Sequence, residues 1–464
     1  MADPLDHNTP QPPASWQHAG GFAQRALAPV ERFLAIEAAS GIVLIVAAAV
    51  ALIWANSPWH ETYNALWHVP VGLRISSFHI ERDLHFWIND GLMTIFFFVV
   101  GLEIRREIYN GELSELRRAA LPFVAAVGGM LVPASIFVAF NLGRESVSGW
   151  GIPMATDIAF AVGVLALLGS RVPPALRVFL LALAVIDDVG AILVIAIFYS
   201  SGLHPSGFFI AAGGLGVIVL MRLLGIRSPW AYVPPAAIVW AGTYVAGIHP
   251  TLAGAVIGLM TPVRPSLGRR KFIERARATL ARLRDQRDSD TRALLPHMRE
   301  LDQARREALS PVDRIDHALH GWVAFGVMPL FALANAGVSV GDLSLSGEPL
   351  LVLLGIGVGL ILGKPIGILA FSWLATRLGF AALPRGIAWP QVAVVGVAAG
   401  IGFTMSIFIA SLAFPAGPNL ETSKLGILIG SAAAAIVAMV FGGVILASKP
   451  VAEITATVSD EVIR

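Results

Sequence analysis

The stretch LALAVIDDVGAILVIAIFYS, Leu181–Ser200, sets two aspartates side by side within an otherwise apolar run. A run of about 20 apolar residues is long enough to cross a bilayer as a helix. Asp187 and Asp188 would then lie near the midplane, where each carboxylate costs about 2.5–3.5 kcal/mol on insertion scales. A chain that tolerates two such costs at adjacent positions must use the carboxylates.

The rest of the chain agrees with a membrane setting. Of 464 residues, 56% are hydrophobic and 14% charged, against about 25% charged in soluble domains. Twelve apolar runs suggest spanning helices near 33–54, 84–104, 119–142, 151–169, 178–199, 205–221, 229–246, 250–263, 321–340, 350–375, 388–413 and 425–447. With the N-terminus inside, 28 of the 33 Lys and Arg residues fall on cytoplasmic segments, and Arg74, Arg82, Arg144 and Lys424 on external ones. That asymmetry follows the positive-inside rule. It leaves a cytoplasmic tail over 1–32, a membrane domain over 33–447 and a second cytoplasmic tail over 448–464. The loop 264–314, rich in arginine, is expected to be solvated and partly helical rather than a nucleic-acid site. The segment VGLRISSFHIER, 71–82, alternates around Ser76-Ser77 as an external β-hairpin does. Its edge could pair with a second subunit and make a homodimer. There is no cysteine, hence no thiolate site, and no GxxxxGK[ST] phosphate loop to power ATP-driven transport. The residues suggest no cofactor, and the expected role is transport rather than enzymatic catalysis.

Two of the runs look broken. GWGIPMATDIAFAVG carries Gly151, Pro153 and Asp157, and VAVVGVAAGIGFTMSIF carries Gly396, Gly400 and Gly402 before Thr404. They occupy matching places in two blocks of spans that would be related by an inverted repeat, the sequence pointer to a transporter's binding site. A broken helix exposes positive half-charge at N-termini and negative half-charge at C-termini. Asp157, beside Thr156, is expected to serve the former and Lys364, inside the tenth run, the latter. Four charged side chains thus sit well inside predicted spans: Asp157, Asp187, Asp188 and Lys364. A structural ion pair is the competing role for Lys364, but one lysine cannot match three carboxylates. Successive helical residues point about 100° apart, so Asp187 is expected to face a partner such as Lys364 and Asp188 a water-filled cavity. Loss of hydration brings buried carboxylates and lysines closer to neutrality, and an oxygen site without sulfur suits Na⁺ or Li⁺.

The strings ATDIAFAVGVLALLG, ALAVIDDVGAILVIA, GIHPTLAG, WVAFGVMPLFALANAGVS, LGKPIGI and GIGFTMSIFIA resemble the bacterial NhaA-type sodium/proton antiporters, as does WINDGLMTIFFFVVGLEIRREI. The similarity runs in order from about Phe33 to Leu446, with the family's thirty-residue step from Asp157 to Asp187. The resemblance implies an all-α polytopic fold of about twelve transmembrane helices, the fourth and eleventh unwound and crossing at mid-membrane. It implies that Asp187 and Asp188 are the ion and proton site, with Thr156, Asp157 and Lys364 as electrostatic partners of the crossing. It further ties Glu103, Arg106, Glu107, His249, Asp316, His317 and His320 to a response to pH. Histidine titrates near neutrality, while an ordinary ion-pair cluster at a helix end, and a packing or capping role for His249, are the competing roles. The chain departs from the family in its longer loop 264–314 and in Asp316, where a glutamate is usual.

The expected function is export of Na⁺ or Li⁺ in exchange for external protons across a bacterial inner membrane, in the service of salt tolerance or pH homeostasis. Its partners are Na⁺, Li⁺, H⁺ and the lipid bilayer. Two carboxylates and one lysine suggest two protons per Na⁺, an electrogenic exchange. Three rivals remain: a sodium-coupled symporter, a passive cation channel, and a retinal-type pigment with Lys364 as Schiff base.

Overall fold

A computed structural model describes residues 37–447 apart from 76–77, 201, 227, 266, 286–290, 340, 342–345 and 385. Both expected tails, the first residues of the first run and the Ser76-Ser77 turn fall outside the described residues. The chain is an all-α polytopic membrane protein with, among the described residues, one β-hairpin. In order, the elements are α1 (Glu37–Ala55), α2 (His60–Trp67), β1 (Pro70–Ile75), β2 (Phe78–Asp83), α3 (Leu84–Asn110), α4 (Leu116–Asn141), α5 (Ile158–Leu167), α6 (Pro174–Phe198), α7 (Pro205–Leu223) and α8 (Val233–Val245). Then come α9 (Thr251–Met260), α10 (Arg269–Asp285), α11 (Thr291–Ala308), α12 (Pro311–Asn335), α13 (Glu348–Arg377), α14 (Trp389–Ala399), α15 (Phe403–Ala413) and α16 (Pro418–Ala447).

By length and composition seven helices can cross a membrane, or ten when each bent helix pair counts as one. All twelve expected runs contain helix. The largest shift of boundary is in the ninth, which starts at Pro311 instead of 321. Ser310 caps that helix through the Asp313 N–H, and Pro311 occupies its first turn, where a missing N–H costs nothing. Asp316, His317 and His320 therefore stand on a membrane helix and not in the preceding loop. The loop itself is an α10–α11 hairpin, tied by Arg275 to Glu307 and Arg282 to Glu300. The strands pair antiparallel from Pro70 opposite Asp83 to Ile75 opposite Phe78.

Small residues set the closest helix contacts, as expected where lipid removes the hydrophobic drive between helices. On α9, Gly254 and Gly258 face α3. A Cβ at Gly254 would stand 2.1 Å from the Thr94 carbonyl oxygen, and one at Gly258 2.4 Å from that of Phe98. Gly128 of α4 and Gly367 of α13 meet in the same way, backbone against backbone.

The helical course breaks twice at depth. A 3₁₀ segment, Glu145–Met154, leads to α5 with a bend of 43°, and α14 turns into α15 with a bend of 48°. Between them runs α13, whose turn Gly359–Gly363 widens to a π-helix immediately before Lys364. Gly400, at the end of α14, approaches that turn so closely that a Cβ would lie 2.4 Å from the Leu360 carbonyl oxygen. The widened turn, the lysine and both breaks are thus packed as one unit.

Candidate functional site

Asp157 stands at the N-cap of α5. Its Oδ1 accepts the Phe160 N–H at 3.0 Å, while Oδ2 accepts the Thr404 N–H at 3.2 Å and the Thr404 hydroxyl. Thr404 lies in the first turn of α15, so a single carboxylate serves the N-termini of both half-helices. The Asp157 N–H donates in turn to the Ile401 carbonyl at 2.7 Å. Each break leaves backbone groups without helical partners; here the two breaks supply partners to each other.

Lys364 is wholly buried, with 0% of its surface exposed. Its Nζ lies 2.6 Å from Asp187 Oδ2 and donates to Thr156 Oγ1 at 2.7 Å. The Thr156 hydroxyl has two acceptors in reach for its own proton, Asp187 Oδ2 at 2.8 Å and the Ala399 carbonyl at 3.0 Å. Ala399 ends α14, so Lys364 reaches a half-helix C-terminus only through Thr156. Its direct ion pair is with Asp187.

Asp188 is 2% exposed, walled in rather than facing a water-filled cavity. The reason is the dense packing of α6 in its middle, where Leu183 through Asp188 are all buried. Asp188 Oδ2 has no hydrogen-bond partner, nor does Asp187 Oδ1 on the adjacent residue. Among the described residues no hydrogen bond reaches Asp188. The adjacent pair therefore presents two buried carboxylate oxygens with no donor, beside one ammonium. A monovalent cation or a proton is the species such oxygens can take.

The seven residues tied to pH response do not form one group. At the end of α3 away from the hairpin, Arg106 pairs with Asp316 Oδ2 at 2.7 Å. A ligand atom from each of Glu103, Asp316 and His320 lies within 4.8 Å of the others, and His317 joins Arg106, Asp316 and His320 in lining an adjoining cavity. Glu107 instead accepts the Glu112 N–H at 3.1 Å and fixes the turn after α3. His249 stands 3.9 Å from Asp90, which is 13 residues before Glu103 on α3, or about 20 Å at 1.5 Å per residue. It belongs to the other half of the molecule.

A buried polar group at the end of α12 was not expected from the sequence. Asn335, the last residue of α12, exchanges amide hydrogen bonds with Asn89 at 2.8 and 3.2 Å, and His85 Nε2 lies 3.1 Å from Asn335 Oδ1. The signal was there: His85 and Asn89 stand four residues apart on one face of an apolar run, and Asn335 lies within another.

Residues 31–441 match the model of a family described as Na⁺/H⁺ antiporter 1. The chain belongs to that family. It is 55% identical over 452 residues to an antiporter of Sorangium cellulosum named Na(+)/H(+) antiporter NhaA 2, covering 97% of both chains. A Myxococcus xanthus protein of the same name is 55% identical over 433 residues, covering 93% of this chain and 92% of its own. The Na(+)/H(+) antiporter NhaA of Bordetella petrii is 51% identical over 438 residues, covering 93% and 94%. The family and the apolar helices make this a multi-pass bacterial membrane protein.

Proposed function

We propose that the chain exchanges Na⁺, and also Li⁺, for protons across the bacterial inner membrane, with Asp187 and Asp188 holding cation or protons in turn. The observation that carries this is the pair of unpartnered buried oxygens, Asp187 Oδ1 and Asp188 Oδ2, on neighbouring residues. Inward-open, the two carboxylates lose protons and take up the cation; outward-open, they release it and are reprotonated. Asp188 is the principal ligand because no donor of the protein competes for it, and Asp187 shares its other oxygen with Lys364.

In this scheme twelve helices span the bilayer, in inverted repeats whose fourth and eleventh members are the broken ones and cross at mid-membrane. Asp157, Thr156 and Lys364 hold the crossing. Residues 33–447 form the transporter, both tails and the 264–314 segment are cytoplasmic, and the hairpin is external and joins two subunits. The cluster of Glu103, Arg106, Asp316, His317 and His320 adjusts activity to pH. Buried carboxylates and breaks that bond to one another favour alternating access over a continuous pore.

The test is Na⁺-induced proton release in everted vesicles. Wild type releases protons, and Asp188→Asn abolishes the signal while Asp187→Asn retains part of it. Full exchange in Asp188→Asn removes Asp188 from the site, and sodium uptake without any counter-flow of protons favours symport. If two protons enter per Na⁺ leaving, one charge moves inward per cycle, worth about 2.3 kcal/mol per 100 mV. Reversal potentials in proteoliposomes then depend on voltage, and electroneutral exchange refutes the count.

A further inference from the structure

We propose a second cation site, separate from Asp187 and Asp188 and selective for a divalent transition ion such as Zn²⁺, made by Glu103 of α3 with Asp316 and His320 of α12. One ligand atom from each of the three lies within 4.8 Å of the other two. Asp316 and His320 are four residues apart on one helix, so they share a face, and α12 presents that face to the last turns of α3. The second observation is an orphaned atom. Asp316 is buried, its Oδ2 engaged by Arg106, yet its Oδ1 is shielded from solvent and has no hydrogen-bond partner in the protein. A buried carboxylate oxygen left without a donor is costly, and an ion would satisfy it.

The donor set selects the ion. Carboxylate oxygen and imidazole nitrogen are both ligand types zinc takes, and three protein ligands with the fourth position left for a water is the form of its open sites. Na⁺ and Ca²⁺ prefer shells made of oxygen alone, and Ca²⁺ takes six to eight of them. Around an ion with bonds near 2.0–2.2 Å, tetrahedral ligand atoms stand about 3.4 Å apart. The three atoms must therefore close by about 1.5 Å at most. His320 can supply that movement, because it is the exposed member and swings on a helix surface. The nearby Arg106 guanidinium opposes the ion, but two carboxylates outweigh it, and Asp313 lines the same cavity. An ion here joins α3 to α12 beside a cavity of about 440 Å³. The site needs no assumption about what the protein transports.

The experiment uses the full chain purified in detergent without a histidine tag. Zn²⁺ binding is followed by calorimetry, and Co²⁺ binding by its visible absorption, which reports a low-symmetry nitrogen–oxygen shell. One ion binds per chain. His320→Gln, a change at an exposed position that the fold tolerates, weakens binding at least tenfold and abolishes the Co²⁺ band; Asp316→Asn does the same. His317→Gln, in the same cavity but outside the triad, leaves both readouts within about twofold. Absence of stoichiometric binding overturns the proposal, as does binding that survives His320→Gln or is lost in His317→Gln. Because no flux is measured, these results stand whether or not Na⁺/H⁺ exchange is borne out.

Discussion

Replacing Asp157 tests whether the two half-helices are held by one carboxylate. In Asp157→Ala the Phe160 N–H, the Thr404 N–H and the Thr404 hydroxyl all lose their acceptor. The hydroxyl can rotate toward a carbonyl of the preceding turn, so it drops out of the sum. The two backbone N–H groups cannot turn, and at a site 1% exposed water does not replace the carboxylate. A buried donor left without a partner costs about 1–3 kcal/mol, which gives about 2–6 kcal/mol for the pair. Asp157→Asn keeps the oxygen that accepts from Phe160 and can turn its amide toward the Thr404 hydroxyl. Only the Thr404 N–H is then stranded, for about 1–3 kcal/mol.

The assay is unfolding by sodium dodecyl sulfate in mixed micelles, followed by the fluorescence of the protein's 11 tryptophans. The expected order of stability is wild type, Asn, Ala, with Asn closer to wild type. Thr404→Val, which removes the hydroxyl and leaves the N–H, should cost about 1 kcal/mol in wild type and nothing further in Asp157→Ala. An alanine variant within 1 kcal/mol of wild type refutes the shared cap. So does a Thr404→Val cost that persists when Asp157 is gone.

Two other perturbations follow from the same geometry. Lys364→Met leaves Asp187 buried without its ammonium, which costs about 3–5 kcal/mol, whereas Lys364→Met with Asp187→Leu replaces the whole pair by apolar groups and comes within about 1 kcal/mol of wild type. Additive losses in the same unfolding assay sink the claim that the pair acts as a unit. Gly258→Leu forces a side chain into the Phe98 carbonyl and pushes α9 off α3; it should lower folded yield and cost over 3 kcal/mol, while Gly213→Leu, which meets open space on α7, stays within 0.5 kcal/mol.

What the sequence made legible was the charge in the membrane. Asp157, Asp187, Asp188 and Lys364 stand out because ionisable groups are rare in apolar runs, and the two breaks stand out through Pro153 and the glycines of 396–402. The 100° step between neighbours also separated Asp187, which meets Lys364, from Asp188. What the sequence did not show is the closure around Asp188 and the π-turn on α13, because neither leaves a mark in hydropathy. The early start of α12 escaped for a related reason. PVDRIDHALHG is too polar to score as a span, although Ser310 and Pro311 signal a helix start there. The tight α3–α9 contact was written openly, as Gly254 and Gly258 four residues apart, but glycine spacing says nothing about which helix comes close.

The three carboxylates at the breaks answer differently to the same difficulty of lacking water. Asp157 is met by three donors at helix N-termini, and its negative charge falls where two half-helices are positive. Asp187 is met by an ammonium and a hydroxyl. Asp188 is met by neither, and its Oδ2 has no hydrogen-bond partner. A chain whose only requirement was to hold the breaks together could place an apolar residue at 188 and gain stability, since an unpaired buried charge is costly. The position makes physical sense when the missing partner arrives from solution. In the proposed exchange, the fixed partners of Asp157 keep that carboxylate occupied, so cation and protons go to Asp188 and to the one oxygen of Asp187 that has no partner.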